Sequence, residues 1–310
     1  MESIRTFDLS RTFGDAVAVG GVTLSVAPGE IFGLVGPDGA GKSTLMRLLA
    51  GILGPTGGEA WVAGHSVRAD PGAIHREIGY MSQRFGLYPD LSVVENIRFY
   101  ADLYGVARRA RQERMDALLA FAGLTPFRRR LAGNLSGGMK QKLGLACALV
   151  HAPKVVLLDE PTNGVDPVSR RDFWRILYGL LAEKVTVFMS TAYLDEAERF
   201  GRVALLHRGR LLSVGTPDEV KALFRGAILE VRAADPRRAA AALRRAFPDS
   251  AVGLFGERVH VATRAPDETV PAAERALREA GIAFSPIHAV APSLEDVFVS
   301  VLPDRERTSP

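Results

Sequence analysis

The nine residues Gly36-Pro37-Asp38-Gly39-Ala40-Gly41-Lys42-Ser43-Thr44 constrain this 310-residue chain more tightly than any other stretch. They follow a continuous apolar run, Ile31-Phe32-Gly33-Leu34-Val35, and precede the helix-forming segment Leu45 to Ala50. The spacing G-x-x-x-x-G-K-[ST] between a strand and a helix is that of a loop that wraps phosphate. Glycine lets the backbone curl so that successive N–H groups converge on phosphate oxygens. The helix start adds its positive dipole end. Lys42 would bring charge to the outer phosphates, and the Ser43 hydroxyl would ligate Mg2+. A glycine-rich turn with no ligand is the alternative, and the flanking strand and helix argue against it.

Val155-Val156-Leu157-Leu158-Asp159-Glu160 is a second apolar run, ending in two acids. Open α/β sheets place ligands at the carboxyl ends of their strands. Asp159 would hold Mg2+ through water, and Glu160 would take a proton from an attacking water. An acidic pair that only caps a turn is the alternative, weakened by the loop upstream. Runs at 185–189 and 203–206 have the same texture and are separated by helical stretches. Runs this apolar suit strands buried on both faces, and the alternation predicts an α/β core around a mainly parallel sheet.

Two regions depart from that rhythm. Residues 3–30 read as an N-terminal antiparallel β-subdomain of short strands at 17–19 and 22–26, with Gly14, Gly20, Gly21 and Pro28-Gly29 as turns. Residues 84–150 are rich in helix formers and arginine and read as an inserted helical subdomain. After residue 225 the pattern becomes strand 228–231, helix 236–247, a hairpin at 251–255 and 259–262 around Gly256, helix 270–280 and strand 284–290. The order βαββαβ is that of a small α+β, ferredoxin-like module. The domains expected are 1–225, 226–302 and a disordered tail at 303–310. The arginines at 237, 238, 244, 245, 275 and 278 are expected on solvated helix faces.

A net charge of +4 with arginine dispersed along the chain does not indicate a nucleic-acid partner. The single cysteine, Cys147, leaves no internal disulfide framework, fits a reducing compartment and sits in an apolar run as a core residue. No apolar run approaches the roughly 18 residues needed to cross a bilayer, and Met1 to Thr6 carry no apolar leader. The chain is therefore expected in the cytoplasm, with any membrane role supplied by a partner.

Leu135-Ser136-Gly137-Gly138-Met139-Lys140-Gln141 narrows the field. It resembles the signature of ATP-binding cassette (ABC) ATPases, and the order of loop, Gln83, signature and acidic strand matches that family over residues 3–225. Gly29 to Leu34, Gly86 to Ser92, Tyr193 to Glu198 and Pro292 to Phe298 are most similar to its drug-resistance, type-2 exporter branch. The resemblance implies ATP and Mg2+ as ligands. Leu135, Ser136, Gly137, Gly138 and Gln141 would act on the nucleotide of a second ABC subunit, identical or different. Gln83 would contact Mg2+ and the attacking water, giving Ser43, Gln83 and Asp159 as the metal set and Lys42, Gln83 and Glu160 as the catalytic set. Phe13 would stack on adenine, with a core phenylalanine as the alternative. Asp166 would lie in the loop that crosses the dimer. Asp38 departs from the asparagine or serine common in the family and is expected to face solvent or the interface.

One position is conspicuous. Where the family usually has histidine after Ser190-Thr191, this chain has Ala192, and His207 is read as a turn residue beyond the next strand. The resemblance implies an ATP-hydrolysing subunit of an exporter, coupled to a separate membrane permease through residues 85–96 and attached to the cytoplasmic face of the membrane. Its turnover would be slow, the cassette pair unequal, or the branch able to work without that histidine. The alternatives are a soluble ABC ATPase acting on ribosome or DNA, and a regulatory module that binds ATP with little turnover.

Overall fold

The computed structural model describes residues 2–83 and 86–301; Phe85 and the tail expected at 303–310 lie outside them. Along the chain, β1 (Ile4–Phe13) and β2 (Ala16–Val26) form a hairpin, followed by β3 (Ile31–Val35), α1 (Lys42–Leu49), β4 (Gly57–Val62), β5 (His65–Ser66), α2 (Pro71–Glu77) and β6 (Ile78–Met81). Three helices follow: α3 (Val93–Leu103), α4 (Arg108–Phe121) and α5 (Gly137–Ala148). Then come β7 (Val155–Asp159), α6 (Pro167–Ala182), β8 (Thr186–Thr191), the short α7 (Leu194–Ala197), β9 (Arg202–His207) and β10 (Arg210–Gly215).

These elements make two sheets. One has the order β2-β1-β4-β5 with antiparallel pairing; the other has the order β10-β9-β3-β8-β7-β6. In the second, β3 pairs parallel with β8 and β9, and β7 pairs parallel with β6 and β8. Every residue of β3, β7 and β8 is buried, which is why their sequences run apolar rather than alternating. A single core joins Ile4, Val22 and Val62 of the first sheet to Phe32, Leu157 and Phe188 of the second through Leu45 and Leu49 of α1. The Phe32 and Phe188 rings stack 5.5 Å apart across the β3–β8 pair. Cys147 is buried in α5, and burial pushes its thiol pKa up.

Contacts divide the chain at Val214 and Gly215. The second unit contains α8 (Pro217–Lys221), β11 (Ala227–Arg232), α9 (Pro236–Ala246), β12 (Val252–Phe255), β13 (Arg258–Thr263), α10 (Pro266–Glu279), β14 (His288–Val290) and α11 (Leu294–Val301). Its sheet has the order β12-β13-β11-β14, all antiparallel, the arrangement of a ferredoxin-like βαββαβ module. The six arginines of α9 and α10 named above are exposed.

The structure differs from the sequence expectations in detail. Gly20 and Gly21 do not turn the chain: β2 runs straight through them, and they are absorbed as an irregularity between the Leu9–Val22 and Arg11–Val19 pairs. Helix α10 starts at Pro266 rather than Val270, with proline in its first turn and Pro271 inside it. Strand β14 keeps three residues of the seven expected. His207 closes β9 instead of sitting in a turn.

Candidate functional site

The phosphate loop connects the C-terminal end of β3 to α1 and lines a cleft of about 380 Å³ with Ala18, Gln83 and Glu160. Gly41 caps α1 in a left-handed conformation at φ 100°, and a Cβ there would stand 2.2 Å from the Ala18 carbonyl. Only glycine fits that approach of the β2 backbone. No side chain caps α1, so its first N–H groups remain available to an anion. Asp38 is exposed, as expected for a carboxylate that must not face phosphate.

Lys42 is buried, and each of its three ammonium protons has a partner. Nζ donates to the carbonyls of Gly36 at 2.8 Å and Pro37 at 3.0 Å, and lies 2.9 Å from Glu160 Oε1. Glu160 is 7% exposed and adopts φ 50°, a left-handed conformation costly for a side chain of this type. Its backbone N–H bonds both the hydroxyl and the carbonyl of Ser190 across the β7–β8 pair. That clamp turns the carboxylate back toward the loop. Glu160 Oε2 accepts from Gln83 Nε2 at 3.1 Å and from Asn163 Nδ2 at 3.3 Å.

The structure thus brings Lys42, Gln83 and Glu160 together. Asp159, 1% exposed, lies one residue deeper and accepts from Ser190 Oγ at 2.7 Å. The Ser43 hydroxyl, the Asp159 carboxylate and the Gln83 amide are the hard oxygen donors that Mg2+ takes, and the burial of Asp159 suits a contact through water.

Other candidates sit apart from this cluster. Phe13 ends β1 with 48% of its surface exposed and the Arg11 guanidinium 4.6 Å from its ring centre, so it is not a core phenylalanine. Leu135 is buried, while Ser136 caps α5 by accepting from the Met139 N–H. A Cβ on Gly138 would stand 2.4 Å from that of Ser169 on α6, so glycine lets the two helices meet. Gln141 is half-buried in the next turn of α5. None of these signature residues lines the cleft of their own chain. Asp166 caps α6, accepting from the N–H groups of Val168 and Ser169, and the bonds from Ser169 hold its carboxyl below the usual range.

In the region expected to meet a permease, Tyr88 is exposed, whereas Asn96 is fully buried. Its amide accepts from the Tyr88 N–H and donates to the carbonyls of Tyr88, Leu91 and Ser92. Asn96 is therefore a brace beneath that loop rather than part of its surface.

Sequence reasoning missed the support around position 192. Ala192 is exposed just beyond β8. Its neighbours meet at Glu196, a fully buried carboxylate that accepts from Thr162 Oγ1 at 2.9 Å, Thr191 Oγ1 at 2.8 Å and Trp174 Nε1 at 3.3 Å. Glu196 ties the segment after β7 to the segment after β8 and to α6. A glutamate in an acidic surface-like run carries no sequence sign of burial.

A parallel sheet with a phosphate loop after one strand and paired acids at the end of another defines a P-loop nucleotide-binding protein. The family model described as ABC transporter matches residues 19–163. The chain is 34% identical over 302 residues to the daunorubicin resistance ATP-binding protein DrrA3 of Streptomyces coeruleorubidus, covering 96% of this chain and 95% of that one. It is 53% identical over 203 residues to the probable multidrug ABC transporter ATP-binding protein YbhF of Escherichia coli (strain K12), covering 66% of this chain but 35% of the relative's length. A solved ATP-binding cassette, described as a dimeric post-hydrolysis state bound to ADP and Pi, superposes with a TM-score of 0.63 at 25% identity over 69% of this chain and 98% of that one. The chain belongs to the ABC transporter family, and its first unit carries an ABC ATPase domain.

Proposed function

We propose that this chain is the ATP-hydrolysing subunit of an ABC exporter, working at the cytoplasmic face of a membrane through a separate permease. The observation that carries the ATPase reading is the cluster in which Glu160 is bonded at once to Lys42, Gln83 and Asn163 beside the phosphate loop. The relatives named for drug resistance and multidrug transport support the export reading. Among the described residues no helix is long and apolar enough to cross a membrane.

The chemistry follows from the arrangement. The loop amides, the start of α1 and Lys42 bind the phosphates. Lys42 must exchange at least one present partner for a phosphate oxygen, since an ammonium has only three protons. Glu160, released from Lys42, takes a proton from a water whose oxygen attacks the γ-phosphorus; the bond to the bridging oxygen breaks and ADP leaves. Ser43, Gln83 and Asp159 would hold Mg2+, which when bound would neutralise phosphate charge.

The signature lies away from its own chain's cleft, which supports a site completed by a second cassette, with Ser136, Gly137 and Gly138 set against the partner's nucleotide and Asp166 and Phe13 near the interface and adenine. With alanine at 192, turnover is slow or one site of an unequal pair is weak. The second unit serves regulation or dimer stability. Purification from membranes under mild detergent tests the export reading: a polytopic protein recovered with the chain in stoichiometric amount supports it, and recovery only with ribosomes or DNA contradicts it.

A further inference from the structure

We propose that Tyr193 is a positioning residue for Glu160, acting through Asn163. This rests on the ATPase reading above and adds a residue to it. Asn163 follows Glu160 by one turn, closed by a bond from the Asn163 N–H to the Glu160 carbonyl at 3.2 Å. Its side-chain amide has two unlike ends. Nδ2 donates to Glu160 Oε2 at 3.3 Å, and Oδ1 accepts from the Tyr193 hydroxyl at 3.3 Å. A carboxylate is an acceptor only, so Asn163 can face it only with its NH2 group. The phenol donating at the other end holds that orientation. Without the hydroxyl, the exposed Asn163 amide is free to turn its oxygen toward Glu160, which repels the carboxylate.

Tyr193 is itself held at its ring and at its backbone. The Arg170 guanidinium lies 4.4 Å from its ring centre. Its backbone N–H donates to Thr191 Oγ1 at 3.0 Å, and Thr191 in turn donates to the buried Glu196 carboxylate. Thr162, beside Asn163, donates to the same Glu196 oxygen. Two segments at the carboxyl ends of β7 and β8 are thus locked together at Glu196 and joined again at their tips by Tyr193 and Asn163. Ala192, between Thr191 and Tyr193, has no polar side-chain atom, so the side chain that reaches from this segment toward the base is the phenol.

Steady-state ATP hydrolysis by the full chain with Mg2+ tests this. Tyr193→Phe removes the hydroxyl and keeps the ring against Arg170. It should lower kcat about threefold to tenfold, the range for one hydrogen bond, with the KM for ATP changed less than about twofold. Asn163→Ala should lower kcat by a similar factor. Combined, the two substitutions should cost no more than the larger single loss, because both break one chain of contacts. An unchanged kcat in Tyr193→Phe, losses that multiply in the double variant, or a rise in KM alone would overturn the proposal. Glu160→Gln in the same assay separates the two levels: if it retains full turnover, the assignment of Glu160 as the general base fails and this proposal with it. If Glu160→Gln is inactive while Tyr193→Phe matches the unsubstituted chain, only the role of Tyr193 fails.

Discussion

Lys42 Nζ and Glu160 Oε1 lie 2.9 Å apart, with both side chains more than nine-tenths buried. The group proposed to bind phosphate and the group proposed to activate water thus neutralise each other in one cleft. Breaking a buried pair by removing one partner is costly, since the remaining charge is left without its counterpart. Lys42→Ala should therefore lower unfolding stability by about 3 kcal/mol, the low end of the range because Gln83 and Asn163 still bond Glu160. The double variant Lys42→Ala with Glu160→Gln should recover most of that loss and still fail to bind ATP. Chemical denaturation without nucleotide, alongside nucleotide titration, checks both halves.

Gly138→Ala places a Cβ against Ser169 where α5 meets α6. Overpacking of this kind costs about 1–3 kcal/mol, and the start of α5 must shift to relieve it. ATP binding to the single chain should be unchanged, because the signature does not line its own cleft. ATP-dependent dimerisation and hydrolysis should fall together, as read by size-exclusion chromatography and phosphate release.

Ala192→His introduces an imidazole at an exposed position beyond β8. If the missing contact limits turnover, kcat should rise toward the 10²- to 10³-fold range, about what one charge-stabilising contact at a reacting group is worth. An unchanged kcat in a homogeneous preparation would mean that the site runs without that contact.

The second unit has its own titration. His260 on β13 lies 2.9 Å from Asp296 and 3.6 Å from Glu230. Burial lowers the imidazole pKa, but the bond to Asp296 and the charge of Glu230 outweigh it, and the net shift is upward from 6.5. A histidine with a raised folded-state pKa contributes stability that is fully present below its unfolded value and lost as pH rises through its folded value. Asp296 starts α11, so this stability is that of α11 on β13. Thermal unfolding of the chain and of His260→Gln should differ most below the ordinary imidazole value of 6.5 and converge as pH rises through the raised folded-state value.

Much of the site was legible because it is built from backbone-demanding residues in fixed order. The phosphate loop needs glycine at Gly41, where β2 leaves no room for a side chain, and the apolar run before Asp159 is what a strand buried on both faces requires. The ferredoxin-like order of the second unit was legible from alternating strand and helix texture. Other features were not. Gly20 and Gly21 look like a turn, yet pairing along the whole of β2 keeps the strand continuous. Asn96 and Glu196 are polar types that composition places outside, while their hydrogen-bond partners come from residues whose proximity only the fold creates. Tyr193 could not be linked to Glu160 from sequence, because the link passes through Asn163, 30 residues upstream of it. The helix α11 was also unforeseen; its capping residues, Ser293 and Asp296, were visible only as part of a family-like tail.

Magnesium-dependent ATP hydrolysis by the purified chain, compared with Glu160→Gln, tests the central claim most directly. The account predicts measurable turnover that Glu160→Gln lowers by about 10²- to 10⁴-fold, the range for loss of a general base, with ATP still bound and an ATP-dependent dimer accumulating. Turnover unchanged by Glu160→Gln, or no binding of ATP by the unsubstituted chain, would contradict it.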